Sequence, residues 1–378
     1  MRSDTISTHL PIAGAPWHIA GAGPAGLTAA IVLARAGRRV IVHEAQPRVG
    51  ARWHGGWQII ENFIHSEDAL ALFRRLGIPV RFRHQVVRGL TVFDDRMRRT
   101  TLQSAEPLGY LVRRGEDVTW LDGGLLAAAR ETGVEVHFGS RLGLEESAAV
   151  RATGPTAADG LGCELVFPTT LRDRLQVILD PALVPGGYAY LFVHDGWATI
   201  GMALVRGFKQ LEQYWTATLQ RFQALEPFET GNARRSIAYV NFFLTRRRLL
   251  QGALVAGEAA GLQDNLLGFG IRSAVLSGAL AAQALLGGED YDAACRRQVE
   301  DAQTMGLWMR YLYEHGGALG ARWLIRGARR HGDLREYLYR WYRPTWWKWG
   351  TLPWVRRRWR AHGACAHPPF AHWCRARP

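Results

Sequence analysis

Residues 17–20 form a short apolar run that feeds into Gly21-Ala22-Gly23-Pro24-Ala25-Gly26, after which Leu27, Ala30, Ile31 and Ala34 recur at helical spacing. The pattern predicts a buried strand, a glycine turn and a helix. Gly37 punctuates the helix end, Val40-Ile41-Val42 predict a second buried strand, and Glu44 stands at its tip, 23 positions after Gly21. Residues 110–113 then read as a strand, Leu125 to Arg130 as a helix and Val134-Glu135-Val136 as a returning strand of the same domain, and Ala152-Thr153-Gly154 ends the next extended piece. After Cys163 the texture changes to short strands at 164–167, 175–179, 187–193, 197–205 and 236–243, which predict an antiparallel sheet with 79–93 as an earlier excursion into it. Leu254-Val255-Ala256 predicts one more buried strand, running into Gly257-Glu258-Ala259-Ala260-Gly261, then Gly268, Gly270 and a long alanine-rich helix.

The first glycine cluster sits where a dinucleotide-binding turn must sit, between strand and helix. Gly21 makes the tight turn, Gly23 lets backbone approach a pyrophosphate and Gly26 lets the helix pack closely on the strand. The helix N-terminus at Pro24 and Ala25 supplies N–H groups to the anion, and Glu44 can accept from a ribose hydroxyl. The second cluster, far downstream, is superfluous for NAD but suits FAD, whose ribityl chain and isoalloxazine reach beyond the first turn. Glu258 is placed to accept from a ribityl hydroxyl or to sit near the pyrophosphate, and the helix after Gly270 could face the electron-rich edge of the flavin.

The expected fold is an α/β FAD-binding Rossmann-like domain, discontinuous over 1–78, 106–162 and 249–304, with an antiparallel β-sheet substrate domain over 79–105 and 163–248. A C-terminal basic, tryptophan-rich helical region spans 305–378.

Composition narrows the setting. Of 378 residues, 48% are hydrophobic and 21% charged, with four cysteines, which excludes a disordered chain and a disulfide scaffold. No apolar stretch reaches the roughly 18 residues of a spanning helix; residues 274–288 come closest and are interrupted by Ser277 and Gln283. Asp4 and His9 break any signal-peptide core, so a cytoplasmic protein is expected. The net charge of +14 is almost wholly C-terminal, since residues 305–378 hold 15 of the 47 basic and 3 of the 33 acidic residues, with nine of the 15 tryptophans. Within this region Asp333 and Glu336 resemble a helix start, followed by Leu334, Tyr337, Leu338, Trp341 and Tyr342 on one face. Trp346-Trp347-Lys348-Trp349 and Trp354 to Arg360 interleave aromatic and basic side chains, which suits a headgroup layer on the inner membrane face better than a nucleic acid. Residues 333–378 are therefore the expected peripheral membrane attachment, the competing reading being a helix face packed on the protein itself. His362, Cys365, His367, His372 and Cys374 do not match zinc spacings, and no metal site is assigned.

Together, Gly21–Gly26 with Glu44, Ala152-Thr153-Gly154 and the Gly257-to-Gly270 block resemble the glutathione-reductase-type FAD fold in its aromatic-hydroxylase branch. Pro185-Gly186-Gly187-Tyr188-Ala189-Tyr190-Leu191-Phe192, followed by Gly201, resembles the geranylgeranyl reductase family, in which a tyrosine, an aromatic and a phenylalanine alternate beside the flavin. The resemblance spans roughly residues 17–290. It differs at Tyr190, where the family usually has tryptophan, at Val193, where it has proline, at Glu258, where aspartate is common, and at Gln263–Leu267, which lacks a proline. It implies a flavoenzyme reducing carbon–carbon double bonds of isoprenoid chains, with Ala45, Arg52, Thr153, Gly154, Gly268, Gly270 and Ile271 joining the glycines at the cofactor. Arg113 or Arg114, with Asp122, matches the family's arginine near the flavin, and Arg113 is carried in the cofactor set.

Alternation puts Tyr188, Tyr190 and Phe192 on one strand face, as an aromatic wall of a pocket or as ordinary sheet core. Saturating an unactivated alkene takes a hydride and a proton, so an acid is needed; Tyr188, Tyr190, His194 and His54 are the candidates, with His54 in the loop after the second strand. The electron donor, NADPH or an electron carrier, is not encoded in any motif. Two other functions fit the same motifs: an FAD-dependent monooxygenase of a small aromatic or apolar substrate, and a non-catalytic flavin-bearing membrane adaptor.

Overall fold

The computed structural model describes residues 14–155, 160–240 and 248–356. Trp17–Ala20 (β1), Pro24–Arg35 (α1) and Val40–Glu44 (β2) make the opening unit, with β1 and β2 parallel. Helix α1 is apolar around most of its circumference because it lies between the sheet and two further helices, Leu121–Glu131 and Ile271–Leu285. A side chain at Gly278 would run into the backbone of Ala25, so the helix Ile271–Leu285 crosses α1 at backbone contact. Val150–Arg151 and Ala253–Val255 extend the sheet beyond β1, and Glu135–Phe138 extends it beyond β2, all parallel; Leu249–Leu250 closes one edge antiparallel. Both glycine clusters and Thr153-Gly154 thus emerge from carboxyl ends of parallel strands, where open α/β sheets bind ligands.

A seven-stranded sheet runs in the order Arg234–Val240, Gly160–Pro168, Trp197–Leu204, Tyr188–His194, Arg174–Leu179, Gly89–Asp94, Arg99–Gln103. One face packs under the helix Leu211–Leu225 through Ala189, Leu191, Val193, Trp215 and Phe222. The opposite face, with Val92, Leu102 and Phe192, packs under the C-terminal helices Leu307–His331 and Leu334–Tyr342.

Three features differ from the sequence reading. The sheet is not wholly antiparallel, since Arg174–Leu179 pairs in parallel with Gly89–Asp94, the strand that enters from the nucleotide side. The excursion starts later than residue 79: His84–Val87 pairs with Gly109–Arg113 in a separate three-stranded sheet with Trp57–Glu61, and only Gly89 onward joins the large sheet. Gly89 makes the changeover possible because the carbonyl of Leu102 occupies the space a side chain would need. Gly109–Arg113 likewise belongs to this small sheet and not to the parallel one.

Candidate functional site

A cavity of about 1420 Å³ runs from the carboxyl ends of β1 and β2 to the aromatic face of the seven-stranded sheet. Ordinary small-ligand sites are roughly 300–1,000 Å³, so this one has room for a long cofactor and a second molecule.

At the nucleotide end the walls are Gly21, Gly23, Pro24, Ala25, Glu44, Ala45, Arg52, Thr153 and Gly154. Gly21 has φ +100°, and a side chain there would collide with the carbonyl of Ala152. Gly26 lies behind the turn, where a side chain would strike the carbonyl of Gly21; it seats α1 instead of lining the cavity. Helix α1 starts without a side-chain cap or an acidic residue in its first turn. The N-terminus of the helix Ile271–Leu285, after Gly270, is also uncapped and free of acidic residues. Gly257, Glu258, Gly268, Gly270 and Ile271 line the cavity there. Two uncapped helix N-termini therefore open on one cavity, each offering N–H groups and positive dipole to electron-rich groups. This fits FAD, whose pyrophosphate would lie at α1 and whose ring would lie toward Gly270.

Two acidic residues have protein partners. Glu44 accepts from the amides of Ala22 and Gln46, each at 2.8 Å, which fixes its carboxylate at the tip of β2 with lone pairs left for a ribose. Glu258 is ion-paired with Arg52 at 2.7 Å, tying the loop after β2 to the second glycine cluster.

At the other end Tyr188, Tyr190 and Phe192 all line the cavity, with successive ring centroids 6.1 and 4.8 Å apart. Tyr188 donates to the carbonyl of Leu267 at 2.6 Å, which anchors the wall to the loop before Gly268. Tyr190 pairs with Glu164 at 3.3 Å. Burial pushes both phenols above their ordinary pKa, so both are neutral. Beyond Phe192 the cavity continues between the sheet residues Leu90, Val92, Leu102 and Val177 and the helical residues Met309, Tyr313, Leu324, Ile325, Ala328, Leu334 and Leu338. This second compartment is almost entirely apolar.

Besides Gly26, three expected site residues, Arg113, His54 and His194, are not brought to the cavity. Arg113 lies outside it: its Nε donates to the carbonyl of Gly55 and its guanidinium sits 4.4 and 4.2 Å from the ring centroids of Trp120 and Trp197. Consecutive strand residues point to opposite faces, and it is Arg114 that reaches the cavity wall, held bidentate by Asp122 at 2.8 Å per bond and bonded to Gln58 at 2.6 Å. His54 also lies outside the cavity, against Trp120. Burial, with the charges of Arg234 and Arg48, pushes its imidazole below the ordinary range, so it is neutral and a poor acid. His194 pairs with Asp173 at the surface.

Sequence reading missed two contributors, Glu164 and the helical closure of the apolar compartment. Glu164 is fully buried in an otherwise apolar strand, and a lone carboxylate in Gly-Leu-Gly-Cys-Glu-Leu-Val-Phe is the signal that could have found it. The C-terminal helices close the apolar compartment, a role that their helix-start box and apolar face do not announce. The face of Leu334–Tyr342, expected at a membrane, is spent there: Leu334, Leu338 and Tyr342 are buried, and Asp333 caps the helix by accepting from the amide of Glu336. The His/Cys tract 362–374 lies outside the described residues.

Residues 3–105 match the model of the Thi4 family. A digeranylgeranylglycerophospholipid reductase of Thermoplasma volcanium is 23% identical over 317 residues, covering 70% of this chain and 76% of the relative. Among solved structures, a geranylgeranyl bacteriochlorophyll reductase-like protein from Thermoplasma acidophilum superposes with a TM-score of 0.69 at 18% identity, over 91% of this chain and 98% of that one. The flavin-dependent brominase Bmp2 superposes with a TM-score of 0.59 at 16% identity, again over 91% and 98%. The chain is an FAD-dependent oxidoreductase, and it is similar to geranylgeranyl reductase-like proteins.

Proposed function

We propose that the protein reduces carbon–carbon double bonds of an isoprenoid or similarly extended apolar lipid. The observation that carries this reading is the apolar compartment leading from Tyr188, Tyr190 and Phe192 into the space under the C-terminal helices. A prenyl chain laid there would bury its methylenes, each worth about 0.8 kcal/mol, and present a double bond to the aromatic wall. The digeranylgeranylglycerophospholipid reductases that the chain resembles are named for substrates of this kind.

Gly21, Gly23, Pro24, Ala25, Glu44, Ala45, Arg52, Thr153, Gly154, Gly257, Glu258, Gly268, Gly270 and Ile271 would hold FAD, with Arg114 in place of Arg113. When bound and reduced, FAD supplies hydride equivalents. The rings of Tyr190 and Phe192 would stabilise positive charge developing on the alkene as it is protonated. Apolar walls that keep water from the bound alkene would strengthen that interaction.

A lipid substrate implies access from a membrane. No helix of the described residues is long and apolar enough to cross one. Leu319, Trp323, Trp346 and Trp354 are more than half exposed, and all four belong to the stretch 305–378 in which the positive charge of the sequence is concentrated. Side chains of this kind suit attachment to an anionic headgroup layer.

Anaerobic incubation of the dithionite-reduced holoenzyme with a geranylgeranyl lipid tests the proposal. Each saturated bond adds two hydrogens to the product mass. Oxygen-dependent hydroxylation of the substrate, without saturation, would refute it in favour of a monooxygenase. Replacing Trp346 and Trp354 by alanine should weaken flotation with anionic vesicles; unchanged flotation would refute the attachment.

A further inference from the structure

Alkene reduction needs a proton as well as a hydride, and the aromatic wall offers phenols whose acidity burial has suppressed. Tyr188 and Tyr313 each donate to a backbone carbonyl, of Leu267 and Gly187 respectively, so their hydrogens are committed. Tyr190 is different: its hydroxyl donates to a carboxyl oxygen, Glu164 Oε2, and once that oxygen carries a proton the bond reverses, the carboxyl donating to Tyr190 and freeing the phenolic hydrogen for the cavity. The strand Gly160–Pro168 lies two places from the strand Tyr188–His194, with Trp197–Leu204 between them. Gly201 on that intervening strand has no side chain, and the Tyr190 ring lies across it to reach Glu164 at 3.3 Å. Glu164 is 0% exposed, and its Oε1 has no hydrogen-bond partner. That oxygen sits against Gly56, where a side chain would displace it.

We propose that Glu164 is the proton reservoir of the reaction, supplying through the hydroxyl of Tyr190 the proton that saturation of the alkene consumes. The inference rests on the lipid-reductase reading above. In the step, the hydride with its two electrons comes from the reduced cofactor and forms a C–H bond at one alkene carbon. At the other carbon a second C–H bond forms as the Oη–H bond of Tyr190 breaks. The Glu164 O–H bond breaks in turn and restores the Tyr190 hydroxyl, leaving a Glu164 carboxylate that solvent reprotonates before the next turnover. Tyr190 touches the substrate; Glu164 acts through it and positions its hydroxyl.

The surroundings favour a protonated carboxyl at rest. Arg114, Arg52 and Arg234 face Glu164 from three other parts of the chain and favour its ionised form, as does the hydrogen bond of Tyr190, yet burial outweighs them and pushes its pKa up to about 8. An acid with a pKa near the working pH is well matched to general-acid work. A phenol alone, with its pKa driven upward, would not yield its proton without simultaneous replacement.

Infrared spectroscopy of the FAD-loaded holoenzyme, titrated between pH 6 and 9 with wild type, Glu164→Gln and Tyr190→Phe, tests the proposal without any substrate. The expected result is a protonated-carboxyl stretching component at pH 7 that disappears near pH 8, is lost on going from wild type to E164Q while the component of the equally buried Glu61 remains, and is shifted in Y190F. With a geranylgeranyl lipid, wild-type saturation should fall as pH rises through about 8. E164Q should be slower by about 100-fold or more and should lose that limb of the pH profile, with flavin binding unchanged. Should E164Q fail to fold, Y190F decides, by keeping the band and losing saturation. An ionised carboxylate at pH 7, or E164Q with wild-type rate and pH profile, overturns the proposal. A wild-type enzyme that leaves the alkene untouched refutes the lipid reading and with it the destination of the proton, whereas the infrared band still reports on Glu164 independently of substrate.

Discussion

Replacing Arg114 by methionine is the most direct probe of how the cavity wall is held. Asp122 is 1% exposed and Arg114 12% exposed as side chains, and the two make paired bonds of 2.8 Å each. The substitution leaves Asp122 one backbone donor, the amide of Gly115 at 2.9 Å. Removing one partner of a buried pair costs about 3–5 kcal/mol, because the other charge stays buried and uncompensated. With an unfolding entropy of about 2.1 cal/mol/K per residue, the 378 residues give about 0.8 kcal/mol per degree, so the melting temperature should fall by about 4–6 °C. The measurement is calorimetry of flavin-saturated protein, which keeps cofactor occupancy constant. The double variant Arg114→Met/Asp122→Leu should recover most of the loss, since a packed apolar pair carries no desolvation cost. A single variant as stable as wild type, or a double variant no better than the single, would refute the claim that a desolvated ion pair fixes this wall.

Three further outcomes are expected. Ala328 lines the apolar compartment from the helix Leu307–His331, so Ala328→Phe should abolish turnover of a twenty-carbon prenyl chain while a ten-carbon chain is still reduced, as followed by product mass. Glu61 and Glu164 are both buried with pKa pushed up to about 8 from 4.5, chiefly by burial. The folded state therefore binds more protons than the unfolded one between these values, and stability should fall as pH rises from about 5 to 8, by at most roughly 1.4 kcal/mol per pH unit per group. Urea unfolding across that range should show the slope, flattened in E61Q and E164Q. Lys348 donates to the carbonyls of Arg340, Trp341 and Arg343 at the end of the helix Leu334–Tyr342, so Lys348→Met should cost about 2–3 kcal/mol and loosen the roof of the apolar compartment, measurable as faster amide exchange in residues 334–343.

The local units of this protein were legible in the sequence because each is written in contiguous residues. The β1–α1–β2 unit is specified by an apolar run, three glycines and a terminal glutamate, and the second glycine cluster needs only its own strand and helix. The alternation of Tyr188, Tyr190 and Phe192 likewise fixes that they share a face, though not what that face looks upon. Those facts were enough for FAD and for the order of the elements. Other features depend on which strands become neighbours, and no local pattern encodes that. Arg113 and Arg114 are adjacent, equally basic and equally plausible; only the pairing of Gly109–Arg113 with Trp57–Glu61 turns one to the tryptophans and the other to the cavity. His54 looked catalytic by position in a loop and is turned away by the packing of Trp120. The face of Leu334–Tyr342 had the spacing of a membrane or packing surface, and the choice fell to packing because the seven-stranded sheet presents a complementary apolar face above which it can close. Glu164 and Tyr190 are 26 residues apart and meet across the intervening Gly201, a proximity set by strand register alone. The sequence alone therefore determined the cofactor and the local folds, through short-range geometry, while the apolar compartment and the contact of Tyr190 with Glu164 were decided by long-range pairing.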